Sequence, residues 1–210
     1  MKLTVLGATG GIGQQVVRQA VADGDQVTAV VRDPGRLLVP AGPALDVARA
    51  DVFDPAQLAP LIVGRDAVIS ALGVRRGDSA TVCTDSARAL VTAAREAGVR
   101  RILLVSASGA FVERKDDPLT RYVVKPLLGR FLATPFADTR AMESVIRASG
   151  LDWTLVRPPK LDDKPHTGRY RTGRDGVRGG YTVSRADVAD ALLTLASQPD
   201  AVGATITVAR

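Results

Sequence analysis

Apolar residues are distributed along this chain in two rhythms. Short continuous runs fall at 2–6, 26–31, 46–51, 67–71, 101–106 and 152–157, with a last one at 205–209. Runs this short, with little polar interruption, predict strands covered on both faces. Between them the apolar residues recur at helical spacing. Over 11–22, Ile12, Val16, Val17, Ala20 and Val21 share one face. Helices are likewise predicted over 55–63, 79–97 and 138–148. The helix over 79–97 carries Cys83, Ala87, Leu90, Val91 and Ala94 at helical spacing and stops at Gly98. The one over 138–148 stops at Gly150. A further helix starts at Ser184. Asp187, three residues on, gives a capping-box pattern with Asp in place of Glu, and Val188, Ala191, Leu192 and Leu195 follow on one face.

Strand and helix in alternation predict an α/β fold, a doubly wound parallel sheet with helices on both faces. A length of 210 residues suits one domain over 1–210 with a small added lobe. Two stretches break the alternation. Residues 109–136 are basic and carry Pro118, Pro126 and Pro135. So long a connection inside an α/β domain predicts a functional lid or a small added element. Residues 158–183 open on Pro158-Pro159, are rich in glycine and arginine, and predict a short hairpin around Tyr170 and Tyr181. Both segments leave strands at their C-terminal ends, the edge of an open α/β sheet where ligands bind. They are expected on the substrate side.

Composition narrows the partners. The chain is 46% hydrophobic and 24% charged, the mix of a soluble globular protein. No apolar run is long enough to span a bilayer, so no membrane partner is expected. The first strand begins at once, without a basic and apolar leader, and the single Cys83 cannot form an internal disulfide. These features predict a cytoplasmic location. One cysteine and one histidine, His166, argue against a zinc site, and no metal is expected. The net charge of +6 raises a nucleic-acid reading. The cations are spread along the chain, however, and aromatics are only 4%, too few for a base-stacking surface. The expected partner is a small molecule, and an anionic one would be attracted.

The candidate chemistry starts where the first strand meets the first helix. Gly7-Ala8-Thr9-Gly10-Gly11-Ile12-Gly13 spaces its glycines as G-x-x-G-x-x-G. Gly7 permits a tight turn off the strand. Gly10 lets a pyrophosphate approach the backbone, and Gly13 lets helix and strand pack closely. Thr9, Gly11 and Ile12 complete the loop, whose N–H groups and helix dipole would face phosphates. A plain strand–turn–helix without ligand is the alternative. Sites specific for NAD end the second strand in Asp or Glu, which bonds the ribose 2′-hydroxyl. Here Arg32 stands at that point, with Arg36 further on, and arginines suit a 2′-phosphate. NADP(H) is therefore expected, with NAD(H) as the alternative, since Asp33 could turn inward. Asp51 and Val52 are placed to meet the adenine. Ala71, Leu72 and Gly73 are placed to line the track toward the nicotinamide. Each has a second reading as a strand-end turn residue.

At this level the chain resembles an atypical short-chain dehydrogenase/reductase nearly end to end. The glycine loop, Val31-Arg32-Asp33-Pro34, Ala50-Asp51-Val52, Ser149-Gly150-Leu151-Asp152-Trp153-Thr154, Arg157-Pro158-Pro159 and Ser184-Arg185-Ala186-Asp187-Val188-Ala189 carry the resemblance. Within that group it is most similar to the flavin reductase / biliverdin-IXβ reductase type. The resemblance there rests on the Val-Arg-Asp turn, the strand from Asp66 to Ile69, and the stretch from Pro158 to Tyr170 that contains Asp163, Pro165, Thr167 and Gly168. It implies a Rossmann-like fold and a monomer that binds NADPH and reduces flavins, quinone-like compounds or linear tetrapyrroles. Two departures stand out. Ordinary short-chain dehydrogenases carry Tyr-x-x-x-Lys; the nearest match is Tyr122-Val123-Val124-Lys125, one residue short and inside the proline-rich segment. The flavin-reductase type has a histidine after the Pro-Pro pair, where this chain has Lys160.

The expected function is hydride transfer from NADPH to a conjugated acceptor. The cofactor supplies the chemistry and the protein supplies position and electrostatics. Ser106 and Ser108, after the fifth strand, are candidates to bond the nicotinamide carboxamide or a substrate carbonyl, or else simply to cap backbone groups. Lys160 is a candidate to attract an anionic acceptor or polarise a carbonyl, or else a solvated lysine. His166 is expected to be exposed. Two other readings stay open: a redox-sensing regulator that binds NADP(H) without turnover, and a sugar-nucleotide epimerase or dehydratase.

Overall fold

The computed structural model describes residues 1–74 and 79–210. Strand β1 (Lys2–Leu6) is buried from Leu3 onward and leads into α1 (Gly11–Ala22). There follow β2 (Gln26–Val31), β3 (Leu45–Arg49), α2 (Pro55–Ile62), β4 (Ala67–Ser70), α3 (Val82–Glu96) and β5 (Arg101–Val105). The second half holds α4 (Lys125–Phe131), α5 (Ala133–Arg147), β6 (Asp152–Arg157), β7 (Lys160–Asp162), β8 (Arg171–Gly173), β9 (Thr182–Ser184), α6 (Arg185–Ala196) and β10 (Ala204–Ala209). Among the described residues the main sheet runs β3-β2-β1-β4-β5-β6-β10-β8, and only β8 is antiparallel to its neighbour. The order reverses between β1 and β4. That switch point opens a crevice at the C-terminal ends of the strands.

Strand alternation divides the core into two layers. Leu3, Val5, Val27, Ala29, Ile69 and Leu103 face α1 and α6. Leu6, Val30, Val68, Ile102 and Leu104 face α2, α3 and α5. Helix ends are fixed by individual side chains. Ser184 Oγ accepts from the Asp187 N–H at 3.0 Å and starts α6. The start of α3 is capped from outside: the buried Asp138 carboxylate on α5 accepts from the N–H groups of Cys83 (2.8 Å) and Thr84 (2.9 Å).

The expected parallel sheet and its covering helices are present, with local corrections. The strand expected over 46–51 spans Leu45–Arg49. The helix expected over 79–97 spans Val82–Glu96. The helix expected over 138–148 begins five residues earlier, at Ala133. Its Pro135 lies in the first turn, where a missing N–H costs no helical bond. Much of 109–136 is helical: a turn at Ser108–Ala110, a π-helical stretch at Thr120–Val124, α4, and the start of α5. No hairpin joins Tyr170 to Tyr181. Instead β8 extends the main sheet beside β10, and β9 returns to pair in parallel with β7 in a separate small sheet. The two prolines Pro158 and Pro159 separate β6 from β7 and turn the chain out of the main sheet.

Candidate functional site

The glycine loop is built as its spacing requires. Gly7 has φ of +73°, the left-handed region, and an added Cβ would stand 2.9 Å from the Ala71 carbonyl. A Cβ on Gly13 would run into the Gly7 carbonyl oxygen, so α1 reaches this close to β1 only because residue 13 is glycine. Gly10 is the N-cap of α1, and no side chain caps the first turn. The leading N–H groups and the positive end of the helix dipole are therefore available to an anion.

A cavity of about 340 Å³ lies over this loop. It brings together Gly7, Thr9, Gly10, Gly11 and Ile12 from the loop, Arg32 after β2, and Val52 after β3. Ala71, Leu72 and Gly73 after β4 complete the part of the wall that the sequence pointed to. Phe53, Val82, Leu161 and Arg185 also line it. Arg36, Asp51 and Ser106 do not; Gly13 acts behind the loop, at the helix–strand contact. Asp51 turns back on its own loop, where its Oδ1 accepts from the Phe53 N–H at 3.0 Å.

The segment after β2 sets a cation and a carboxylate side by side. Asp33 Oδ1 accepts from the Gly35 N–H at 3.0 Å and caps the short 3₁₀ turn Pro34–Arg36. Its carboxylate is thus engaged locally, while Arg32 lines the cavity. Gln14 of α1 fastens this segment at two points. Its Nε2 donates to the Arg36 carbonyl at 3.1 Å, and its Oε1 accepts from the Leu38 N–H at 2.9 Å.

The candidate hydroxyls after β5 differ in their partners. Ser106 Oγ donates to Glu143 Oε1 at 2.5 Å. Glu143 is fully buried and is also held by Arg157 (2.6 Å) and Arg147 (2.7 Å). Ser108 is buried in the next turn, its N–H bonded to the Pro158 carbonyl at 3.0 Å, and its hydroxyl has no hydrogen-bond partner among the described residues. Beyond Glu143 the charges continue. Arg157 lies 3.4 Å over the Phe111 ring and 3.5 Å from Glu113, which accepts from the Thr207 hydroxyl at 2.6 Å. Buried Lys125 bonds Asp116 at 2.7 Å. This chain of ion pairs fastens 109–125 to the sheet.

Two sequence candidates stand elsewhere. Lys160 is exposed, and it is its neighbour Leu161 that reaches the cavity. Successive strand residues point to opposite sides, so the two cannot both face inward. Tyr122 is 72% exposed and Lys125 is held by Asp116, so the two do not form a proton-donating pair. His166 is half exposed, 3.5 Å from Asp190. The sequence reading missed Arg185 and Glu143. Arg185 lay within a motif already noted, without a role. Glu143, on a helix rich in polar residues, gave no signal of burial. Among the described residues no helix is long and apolar enough to cross a membrane, and no group of His, Cys, Asp or Glu could hold a metal.

Known proteins resemble this chain in sequence and in fold. The YwnB protein of Bacillus subtilis is 29% identical over 95% of this chain and 94% of its own. A 3-diazoavenalumate denitrifying reductase of a Streptomyces species is 34% identical over 85% of this chain and 62% of its own. The fold matches that of a wide-type short-chain dehydrogenase/reductase from Veillonella parvula, solved in complex with NADP. That likeness has a TM-score of 0.83 at 20% identity and covers 100% of this chain and 94% of the other. The model of the NAD(P)H-binding family matches residues 7–199, which spans the glycine loop, both segments that break the strand–helix alternation and α6, and the chain belongs to that family.

Proposed function

We propose that this protein is an NADPH-dependent reductase that passes hydride to a conjugated acceptor, of the flavin, quinone or tetrapyrrole kind. The observation that carries the cofactor preference is the division of labour after β2. Arg32 lines the cavity and Asp33 is engaged in its own turn. A guanidinium suits a 2′-phosphate, whereas a carboxylate there would repel it. The loop from Gly7 to Gly13 would hold the pyrophosphate, and Val52 and Phe53 would line the adenine end.

The bound cofactor supplies the hydride. The chain supplies orientation and, where the acceptor needs it, a proton. Ser106 already gives its proton to Glu143, so toward a ligand it can only accept a hydrogen bond. Ser108 keeps its proton and would donate to a carbonyl or ring nitrogen brought to it, although it is buried and stands outside the cavity wall. A conjugated acceptor spreads its added charge over the ring system, so such a weak donor suffices. The exposure of Tyr122 and the Asp116–Lys125 pair support a mechanism without a Tyr/Lys acid. They also weigh against an epimerase, which needs that pair to oxidise an alcohol.

One observation favours the sensor reading. Leu119, Tyr122, Val123, Leu127 and Phe131 form an exposed apolar run on the ligand-side segment, which a protein partner could cover. Loss of reduced-nicotinamide absorbance on a panel of FMN, riboflavin, quinones and linear tetrapyrroles separates the two. Turnover with NADPH and at least one acceptor is expected. Tight NADPH binding with no turnover on any acceptor would replace the reductase with the sensor.

A further inference from the structure

Arg185 is the first residue of α6 and a wall of the cofactor cavity. Its side chain lies directly over Gly11, the first helical residue of α1. A Cβ built on Gly11 would stand 2.5 Å from Arg185 Cδ and 2.8 Å from its Nε. Residue 11 must therefore be glycine for the arginine stem to lie there. The guanidinium is thereby brought to the uncapped start of α1, where the two phosphates of a dinucleotide are attracted.

Its mounting is rigid. Ser184 caps α6 immediately before it, and Gln19 of α1 donates to the Ala186 carbonyl at 2.9 Å immediately after it. Its present partner is not rigidly buried. Arg185 Nη1 donates to Asp163 Oδ1 at 2.6 Å, and the Asp163 side chain is 87% exposed. Nε, beside Gly11, has no partner among the described residues. An ion pair this exposed contributes little to stability and is easily exchanged. A phosphate held against helix N–H groups offers the same guanidinium a fork-like pair of charge-assisted bonds. The loop that presents Asp163 is itself tied down. The buried Asp187 carboxylate accepts from the N–H groups of Thr167 (2.7 Å) and Gly168 (3.0 Å). In Ser184-Arg185-Ala186-Asp187, then, the serine caps the helix, the arginine reaches the glycine loop, and the aspartate holds the facing loop.

We infer that Arg185 is a pyrophosphate clamp that exchanges Asp163 for the cofactor when the dinucleotide binds. The inference rests on the family's NAD(P)H binding but not on the choice between NADPH and NADH. Because it reads the pyrophosphate, it acts equally on both cofactors, unlike Arg32.

Titration calorimetry with four ligands tests it: NADPH, NADH, ADP-ribose, which keeps the pyrophosphate, and 2′-AMP, which lacks it. Arg185→Gln keeps much of the stem over Gly11 and removes the charge. It should weaken the first three by about ten- to a hundredfold and leave 2′-AMP unchanged. Arg185→Lys should recover part of the loss. Asp163→Asn removes the competing partner and should tighten NADPH by up to about fivefold. Unchanged ADP-ribose affinity in Arg185→Gln overturns the clamp while leaving the cofactor site intact. So does an equal loss for 2′-AMP, or an equal weakening by Asp163→Asn, since either marks the pair as scaffolding. Absence of any dinucleotide binding by the unaltered protein overturns both the clamp and the cofactor reading.

Discussion

Ser106 and Glu143 share a short hydrogen bond of 2.5 Å between the end of β5 and the middle of α5, and the glutamate is fully buried. Glu143 also takes two bonds from Arg157, at 2.8 and 2.6 Å. The hydroxyl is thus oriented by a carboxylate that is itself oriented by a guanidinium. Removing the Ser106 hydroxyl leaves Glu143 with its arginines. Removing the Glu143 charge leaves the largely buried Arg157 guanidinium with only the more distant Glu113, at 3.5 Å.

From that asymmetry, Glu143→Gln should destabilise the fold by about 3–5 kcal/mol, read from the midpoint of denaturant unfolding. Ser106→Ala should cost no more than about 1–2 kcal/mol. In turnover the order should reverse against Ser108, whose proton is uncommitted. Ser108→Ala should lower turnover more than Ser106→Ala does. The reverse order would mean that Ser106 breaks its bond to Glu143 and donates to the acceptor.

Tyr122 should be dispensable. Its ring is 72% exposed, and the nearest lysine in sequence, Lys125, is spent on Asp116. Tyr122→Phe removes only the hydroxyl, and turnover should fall by less than about tenfold, or about 1.4 kcal/mol of barrier. A loss of several orders of magnitude would restore a tyrosine acid.

Much of the sheet and of the glycine loop can be read from the chain, because both depend on local pattern. A strand buried on two faces must be continuously apolar, and the close approach of residue 13 to the Gly7 carbonyl tolerates no side chain on residue 13. The segments 109–136 and 158–183 are less legible for a physical reason. Pro118 and Pro126 read as breaks, yet Pro126 falls in the first turn of α4, where proline is tolerated. Glu143 and Arg185 owe their roles to partners far along the chain. Ser106 is 37 residues from Glu143, and Gly11 is farther still from Arg185. No periodicity records such an encounter.

Acid should weaken the fold through two aspartates. Burial pushes the Asp187 carboxyl up, but the bonds from Thr167, Ser184 and Gly168 outweigh it and hold the group below its ordinary value. The Thr120 hydroxyl and N–H hold Asp117 at about 2. Both groups are more acidic folded than unfolded. The stability they contribute is fully present above the unfolded value near about 4 and is lost as pH falls through the folded values. Unfolding midpoints should therefore drop between about pH 4 and 2. Asp187→Asn should be less stable at neutral pH and show a shallower acid slope. An unchanged slope would place the acid sensitivity elsewhere.

The proposed cofactor preference turns on Arg32. The side chain lines the cavity at the end of β2, and Asp33 is held in its turn by the Gly35 N–H. A charge-assisted contact to a 2′-phosphate is worth about 1.5–3 kcal/mol, or about ten- to a hundredfold in affinity. Arg32→Ala should weaken NADPH by about that factor and leave NADH nearly unchanged, measured by calorimetric titration of both. Asp33→Asn supplies the complementary test. The amide oxygen can still accept from Gly35, so the turn survives, and the removed charge no longer opposes a phosphate nearby. NADPH affinity should hold or rise. If NADH instead loses affinity in Asp33→Asn while NADPH is indifferent to Arg32→Ala, the carboxylate leaves its turn to bond the ribose hydroxyls, and the site prefers NADH.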